Sequence, residues 1–206
     1  CSQYDTRFLQ HHFAGHIEQK NYALEQARFD CILSVDADEV VSEKLKESVL
    51  TAKKNWKLDG YTMNRLTNYC GKWIRHCGWY PDTKLRLLDR RKGSWGGVNP
   101  HDRIEMAQGS RIGHLNGDLL HYSYHSISQH MSHLNSFSSI AAQEADKKGY
   151  RVNVFRDIIC NPPLTFMKKY LLQLGILDGY YGFVISRSSA LSRFLKYTKL
   201  YELQKK

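Results

Sequence analysis

Two carboxylates one residue apart, Asp36 and Asp38, follow the apolar run Cys31-Ile32-Leu33-Ser34-Val35. A short, nearly continuous apolar run reads as a strand covered on both faces in a parallel sheet, which puts the pair just past its carboxyl end. Two hard oxygen donors in that position can face one divalent cation, directly or through water, and Mg²⁺ or Mn²⁺ suits them best. A cation held there can in turn hold a diphosphate. The same pattern fits a phosphotransferase in which Asp36 is itself phosphorylated, and it also fits an ordinary acidic turn.

The surrounding elements have to place that pair. Ile17, Asn21, Leu24 and Ala27 recur at helical spacing after Gly15, so an amphipathic helix with Lys20 and Asn21 on its polar face precedes the strand. Beyond the acidic pair, Ser42 is a natural N-cap, Glu43 suits the positive helix end, and Leu45, Val49 and Ala52 share one face as far as Lys53 and Lys54. Residues 59–66 and 84–88 read as strands, and Gly93-Ser94-Trp95-Gly96-Gly97 as a mobile or tightly turned loop. Asn116-Gly117 between 111–115 and 118–124 predicts a β-hairpin with a type I′ turn. Ser126 and Gln129 form a capping box for a helix that stops at Gly149, and Pro162-Pro163 punctuates the chain before two amphipathic helices that break near Asp178-Gly179.

Length and charge narrow the classes. The 206 residues suffice for one α/β domain with a tail, which we divide as 1–150 for the catalytic part and 151–206 for a basic amphipathic helical tail. Five cysteines without a C-x-x-C spacing argue against a disulfide framework or a zinc ribbon and suit a reducing, cytoplasmic setting. The formal charge of +10 is uneven, with ten Lys and Arg against three Asp and Glu from Arg151 onward. A basic tail fits an anionic membrane surface, a phosphorylated substrate or nucleic acid, though no nucleic-acid motif is present and that partner is disfavoured. Tail aromatics beside Lys168, Lys169, Arg193, Lys196 and Lys199 suit a helix lying in a membrane interface as well as ordinary packing. The longest apolar stretch, 171–185, is interrupted by Asp178 and falls short of the roughly 20 residues of a membrane span.

Taken together, Gln19-Lys20-Asn21-Tyr22-Ala23-Leu24 and Ile32-Leu33-Ser34-Val35-Asp36-Ala37-Asp38-Glu39 resemble the middle of family 2 glycosyltransferases. Asp59-Gly60-Tyr61, Lys84-Leu85-Arg86-Leu87-Leu88, His101-Asp102, Leu120-His121-Tyr122-Ser123-Tyr124 and Leu177-Asp178-Gly179 bring the resemblance closest to the bacterial lipopolysaccharide core-type enzymes. It covers nearly the whole chain. It implies a GT-A fold whose first strands, roughly 50 residues of an about 110-residue nucleotide-binding half, would precede Cys1. A fragment lacking them would bind a nucleotide sugar poorly.

By that resemblance, Asp36 and Asp38 bind the metal and the donor diphosphate, Lys20 and Asn21 lie on the nucleotide side, and His121 joins the metal shell from a later strand. An inverting transfer also needs a carboxylate to take the acceptor hydroxyl's proton, and Asp102 after the glycine-rich approach is the candidate. Trp79, Tyr80, Asp82 and His101 are candidate acceptor residues, with Trp73, Lys72 and Arg75 nearby. Each of the aromatic residues reads equally as core packing. The expected partners are a nucleotide sugar, UDP-glucose first, and a glycan or lipid-linked acceptor at the cytoplasmic face of the inner membrane. The rivals are a haloacid-dehalogenase-like phosphatase or phosphotransferase acting through Asp36, and a non-enzymatic basic membrane-binding module.

Overall fold

The computed structural model describes residues 6–98 and 101–205, with Val98 and His101 described by backbone alone. Helix α1 (His16–Glu25) precedes strand β1 (Cys31–Leu33), and the turn at residues 37 and 38 leads into a second short strand, β2 (Glu39–Val41). Helix α2 (Glu43–Lys54) starts at the expected cap, where Ser42 Oγ accepts from the Leu45 N–H at 3.3 Å. Glu43 in its first turn and Lys53 and Lys54 in its last oppose the partial charges of the helix ends. Strands β3 (Gly60–Tyr69), β4 (Lys72–Ile74), β5 (Asp82–Asp89), β6 (Gly93–Val98), β7 (His101–Met106) and β8 (Ile112–Tyr124) come before helix α3 (Ile127–Lys147). The hydrogen-bonded strand order is β1-β5-β3-β8-β2 with β4 beside β3, while β6 and β7 pair with each other. The chain is thus mixed α/β with helices at its C-terminal end.

Four local expectations are corrected. Strand β1 is three residues long, stands at the end of the strand order and runs antiparallel to β5, with Ile32 opposite Leu88. Its Cys31 is exposed and Ile32 and Leu33 are half-buried, so here an unbroken apolar run marks a half-covered strand rather than a doubly covered parallel one. The stretch from Gly93 is not a loop but strand β6, in register with β7 from Gly93 opposite Met106 to Val98 opposite His101. Its glycines serve close packing: a Cβ on Gly93 would run into Met106, and one on Gly96 into the Glu105 carboxylate. Asn116-Gly117 does not turn the chain either, because β8 passes straight through it. Lastly, Pro162 and Pro163 lie within the tail's first helix rather than before it.

Gly117 is there because α2 leaves no room for anything larger. Its φ is +101°, and a Cβ would overlap the Lys44–Leu45 backbone at the start of α2. The approach is fixed by Ser42 Oγ, which accepts from the Asp118 N–H at 3.1 Å, and by Ser48 Oγ, which donates to Asn116 O at 2.8 Å. Gly117→Ala is expected to cost about 3 kcal/mol or more, combining positive-φ strain with a backbone clash. Thermal denaturation checks this, and an unchanged Tm would mean that the helix and strand are not locked here.

The chain passes repeatedly between two compact units, Cys1–Ala37 with Val41–Met63 and Thr83–Asp118, and Asp38–Val40 with Asn64–Asp82 and Leu119–Lys206. The division is interleaved along the chain. In the first unit Leu24, Leu88 and Trp95 form a buried cluster joined by Ile17, Ile32 and Ile104. In the second, Tyr69, Ile74, Cys77 and Ile185 pack with Trp79, Tyr124 and Tyr181. Burial, followed by the nearby His133, pushes the His130 imidazole below its usual value. The buried Tyr69 hydroxyl shares a hydrogen bond with this ring, 2.8 Å from its Nδ1.

The tail belongs to the second unit. A helix begins with wide π turns at Val154–Cys160, continues as α4 (Asn161–Met167) with Pro162 and Pro163 as its second and third residues, and widens again at Lys168–Leu172. A 3₁₀ turn, Gly175–Asp178, then leads into α5 (Gly179–Leu203), so the break near Asp178-Gly179 is where expected. Asp178 is 4% exposed, and its carboxylate accepts from the His76 N–H at 2.8 Å and contacts His76 Nδ1 at 3.1 Å. Lys72 Nζ donates to the Asp178 carbonyl at 2.8 Å. The Leu177-Asp178-Gly179 segment is therefore a clamp that ties the tail to the loop after β4.

Candidate active site

In the first unit, α1 carries two adjacent polar residues with different tasks. Asn21 clamps the backbone of β6, donating to Trp95 O and accepting from the Trp95 N–H, both at 2.9 Å. With α1 pinned in this way, Lys20 reaches two carboxylates from distant parts of the chain. Its Nζ lies 3.0 Å from Asp36 Oδ1 and 2.8 Å from Asp102 Oδ2, and 4.2 Å from the centroid of the Trp95 ring. Three of the residues singled out in the sequence, Lys20, Asp36 and Asp102, are thereby gathered into one group.

Arg86 completes that group and went unrecognised as a site residue. Its Nη2 is 2.8 Å from Asp36 Oδ2, its guanidinium stands 5.3 Å from the Trp95 centroid, and its side chain is 5% exposed. The signal was present in Leu85-Arg86-Leu87-Leu88, since a guanidinium on an otherwise apolar strand can be buried only beside an anion. Burial alone would raise the Asp36 carboxyl, but Arg86 and then Lys20 outweigh it and hold the group below the usual carboxylate range. A depressed folded value stabilises the fold above the ordinary value near pH 3.9, and this contribution is lost as pH falls through the folded value. The two cations and two carboxylates balance in charge. Beside them the buried Trp95 indole N–H meets no acceptor among the described residues.

The second unit holds Asp38 and His121. The Tyr122 N–H donates to Asp38 O at 2.9 Å, fixing the acidic turn on β8. His121 Nε2 lies 3.2 Å from Asp38 Oδ2, and its Nδ1 lies 3.4 Å from Thr67 Oγ1. Burial, and after it the Arg65 cation, push the His121 imidazole below its usual value against the pull of Asp38 and Glu39. At neutral pH the ring is uncharged and has a nitrogen lone pair to offer.

Arg65 is the other residue that sequence reasoning missed. Its Nε and Nη2 both donate to Asp82 Oδ2, at 3.0 and 2.8 Å, and its Nη1 is 3.6 Å from the buried Glu39 carboxylate. Arg65, Thr67, Trp79, Asp82, His121 and Tyr124 line a cavity of about 300 Å³. Two of the candidate acceptor residues, Trp79 and Asp82, thus share a hollow with the candidate metal ligand His121. Tyr80 stands apart, with its ring 5.5 Å from the Arg75 guanidinium. The His101 side chain lies outside the described residues, as do Asn99 and Pro100.

Among the described residues, no three His, Cys, Asp or Glu side chains gather as a metal cage. Any cation would rest on a pair such as Asp38 and His121, with water and a ligand's oxygens filling its remaining positions. Partial protein coordination of this kind is how Mg²⁺ is commonly held against a phosphorylated substrate.

No protein-family model matches the chain. Curated relatives do match it. Uncharacterised glycosyltransferases of Rickettsia prowazekii and Rickettsia typhi are each 28% identical over 202 residues, covering 93% of this chain and 69% of the relative. The lipopolysaccharide core biosynthesis glycosyltransferase LpsC of Rhizobium meliloti is 26% identical over 204 residues, covering 95% of this chain and 73% of its own length. Over more than nine tenths of its length, then, the chain is similar to proteins named glycosyltransferases.

Proposed function

We propose, starting from that similarity, that the chain carries the catalytic part of a GT-A, family 2 glycosyltransferase. In this reading it moves a sugar from a nucleotide sugar to a lipopolysaccharide-core or other lipid-linked glycan, with inversion and with a divalent cation. The observation that carries this reading is the Lys20 group, in which one ammonium holds Asp36 and Asp102, 66 positions apart in the chain, at 3.0 and 2.8 Å.

Asp102 is the base. Lys20 engages its Oδ2, and among the described residues Oδ1 has no hydrogen-bond partner, so that oxygen is available for the acceptor hydroxyl's proton. Lys20 orients Asp102 and couples it to Asp36. Asn21, with both ends of its amide on the Trp95 backbone, is a positioning residue and not a direct donor contact. The Trp95 indole N–H, buried and without an acceptor among the described residues, is suited to a donor oxygen.

Because the Lys20 group is neutral as a whole, it has no surplus positive charge for a diphosphate. In the second unit, Asp38 and His121 offer a half-exposed carboxylate and a neutral imidazole 3.2 Å apart, a donor set that fits Mn²⁺ or Mg²⁺. When bound, such a cation stabilises the charge that develops on the leaving diphosphate. Asp36 is the less suited ligand, since Lys20 and Arg86 already occupy both of its oxygens. The same ion pairs count against a phosphoaspartyl mechanism, which needs an Asp36 oxygen free to attack.

The test is UDP release from UDP-glucose by the full-length protein with a core-oligosaccharide acceptor, with and without EDTA. Release that stops with EDTA and returns with Mn²⁺ is expected. Release that survives EDTA would remove the metal, and no release combined with beryllofluoride trapped at Asp36 would favour the phosphotransferase.

A further inference from the structure

No helix among the described residues is long and apolar enough to cross a membrane, yet the tail presents a large apolar face to solvent. Along its first helix Phe155, Ile159, Met167 and Leu171 are 69%, 56%, 49% and 44% exposed, and with the exposed Pro163 they make a solvent-facing row at every fourth residue. Leu172, beside this stripe, is 81% exposed. Scattered apolar residues on a surface are ordinary, but a continuous stripe on one helix marks a contact surface.

Flanking the stripe is a cleft of about 520 Å³ lined by Arg156, Cys160, Leu164, Lys168, Lys169 and Arg193, among other residues, with no carboxylate in the lining. A second hollow of about 400 Å³ shares Thr165, Lys169 and Arg193 with it and adds Lys196 and Ser188, Ser189 and Ser192 of α5. Lys168 and Arg193 have no carboxylate partner among the described residues. Burial, followed by repulsion from these two cations, pushes the Lys169 ammonium below its usual value, and an anion between them would relieve that repulsion. Of the tail's three acids, Asp157 and Asp178 are 2% and 4% exposed, so solvent meets a face that is almost wholly cationic.

We propose that this face docks on an anionic bilayer, with lipid phosphates in the cleft at Lys168 and Arg193 and the Phe155, Ile159, Met167 and Leu171 stripe in the interfacial layer. Apolar side chains flanked by basic ones are what an in-plane amphipathic helix requires. The cations favour a lipid surface over a second copy of this chain, whose own tail would bring the same charge. The proposal stands apart from the transfer reading, because the docking face contains none of the residues assigned to transfer.

The experiment is co-sedimentation of the full-length protein with phosphatidylcholine vesicles containing or lacking phosphatidylglycerol, in low and high salt. Binding to the anionic vesicles that weakens in high salt is expected. Each cation near the surface contributes about fivefold, so Lys168→Gln with Arg193→Gln should weaken binding roughly 25-fold. Phe155→Ser with Leu172→Ser replaces two side chains that are mostly exposed, so the circular dichroism should be unchanged while binding falls by about tenfold or more. Equal binding to neutral vesicles, or native binding by both double variants, would overturn the proposal. So would a self-associated protein that Phe155→Ser with Leu172→Ser turns monomeric without changing vesicle binding, since the face would then belong to a second copy.

Discussion

Asp102→Asn is expected to lower kcat for sugar transfer by about 10²- to 10⁴-fold, the range for removing a general base, with the donor's dissociation constant nearly unchanged. Asparagine keeps an oxygen for the Lys20 ammonium, which is 2.8 Å away in the native protein, so the group around it survives while the proton acceptor is lost. Initial rates at saturating acceptor, with donor binding measured separately by calorimetry, make the distinction. A variant that turns over at the native rate would remove Asp102 from the chemistry. A variant that lost donor binding as well would show that Asp102 acts by holding Lys20.

Asp38→Ala is the second large effect, expected to reduce transfer by roughly 10³-fold through loss of charge stabilisation on the leaving diphosphate. Here the metal affinity should fall together with the rate, and titration with Mn²⁺ alone measures it. The partner ligand gives this prediction a pH signature. His121 has its value pushed down by burial and by Arg65, so the neutral ring persists below the ordinary imidazole value of about 6.5. Mn²⁺ affinity should be level through neutral pH and fall only as pH drops below that value, when the imidazole takes up a proton. An affinity that already halves at about pH 6.5, the ordinary imidazole value, would contradict a ligand ring held neutral by burial and Arg65.

Legibility in the sequence followed physical range. The capped helices were readable because their signals are local: Ser42 and Ser126 each accept from the backbone N–H three residues on, at 3.3 and 3.1 Å, and Gly149 ends α3 in a left-handed turn with φ +70°. The glycines were misread for the complementary reason. Gly93, Gly96 and Gly117 look like turn residues in isolation, but they answer to Met106, Glu105 and the Lys44–Leu45 backbone, and spacing along the chain carries no trace of those neighbours. Asn116-Gly117 in particular has the composition of a hairpin turn and the role of a close-contact strand position.

The site divided along the same line. Lys20, Asp36, Asp38, Asp102 and His121 could be named from residue type and resemblance, because chemistry is a property of the side chain. Which of them meet could not, since that depends on strand order. Asp36 and Asp38 looked like equal partners by spacing, yet Asp36 is committed to Lys20 and Arg86, whereas Asp38 faces His121. Arg65 reads from sequence as a solvated strand arginine, and only its geometry shows that it serves Asp82, whereas the apolar neighbours of Arg86 already point to a buried guanidinium beside an anion.

The most direct test of the central claim is the anomeric configuration of the product formed by the full-length protein from UDP-glucose and a core-oligosaccharide acceptor in the presence of Mn²⁺, read by proton NMR. Attack by the acceptor hydroxyl with Asp102 as base and departure of the diphosphate from the opposite face predict a β-linked glucose from the α-linked donor. An α-linked product, or one formed at the native rate by Asp102→Asn, would contradict it.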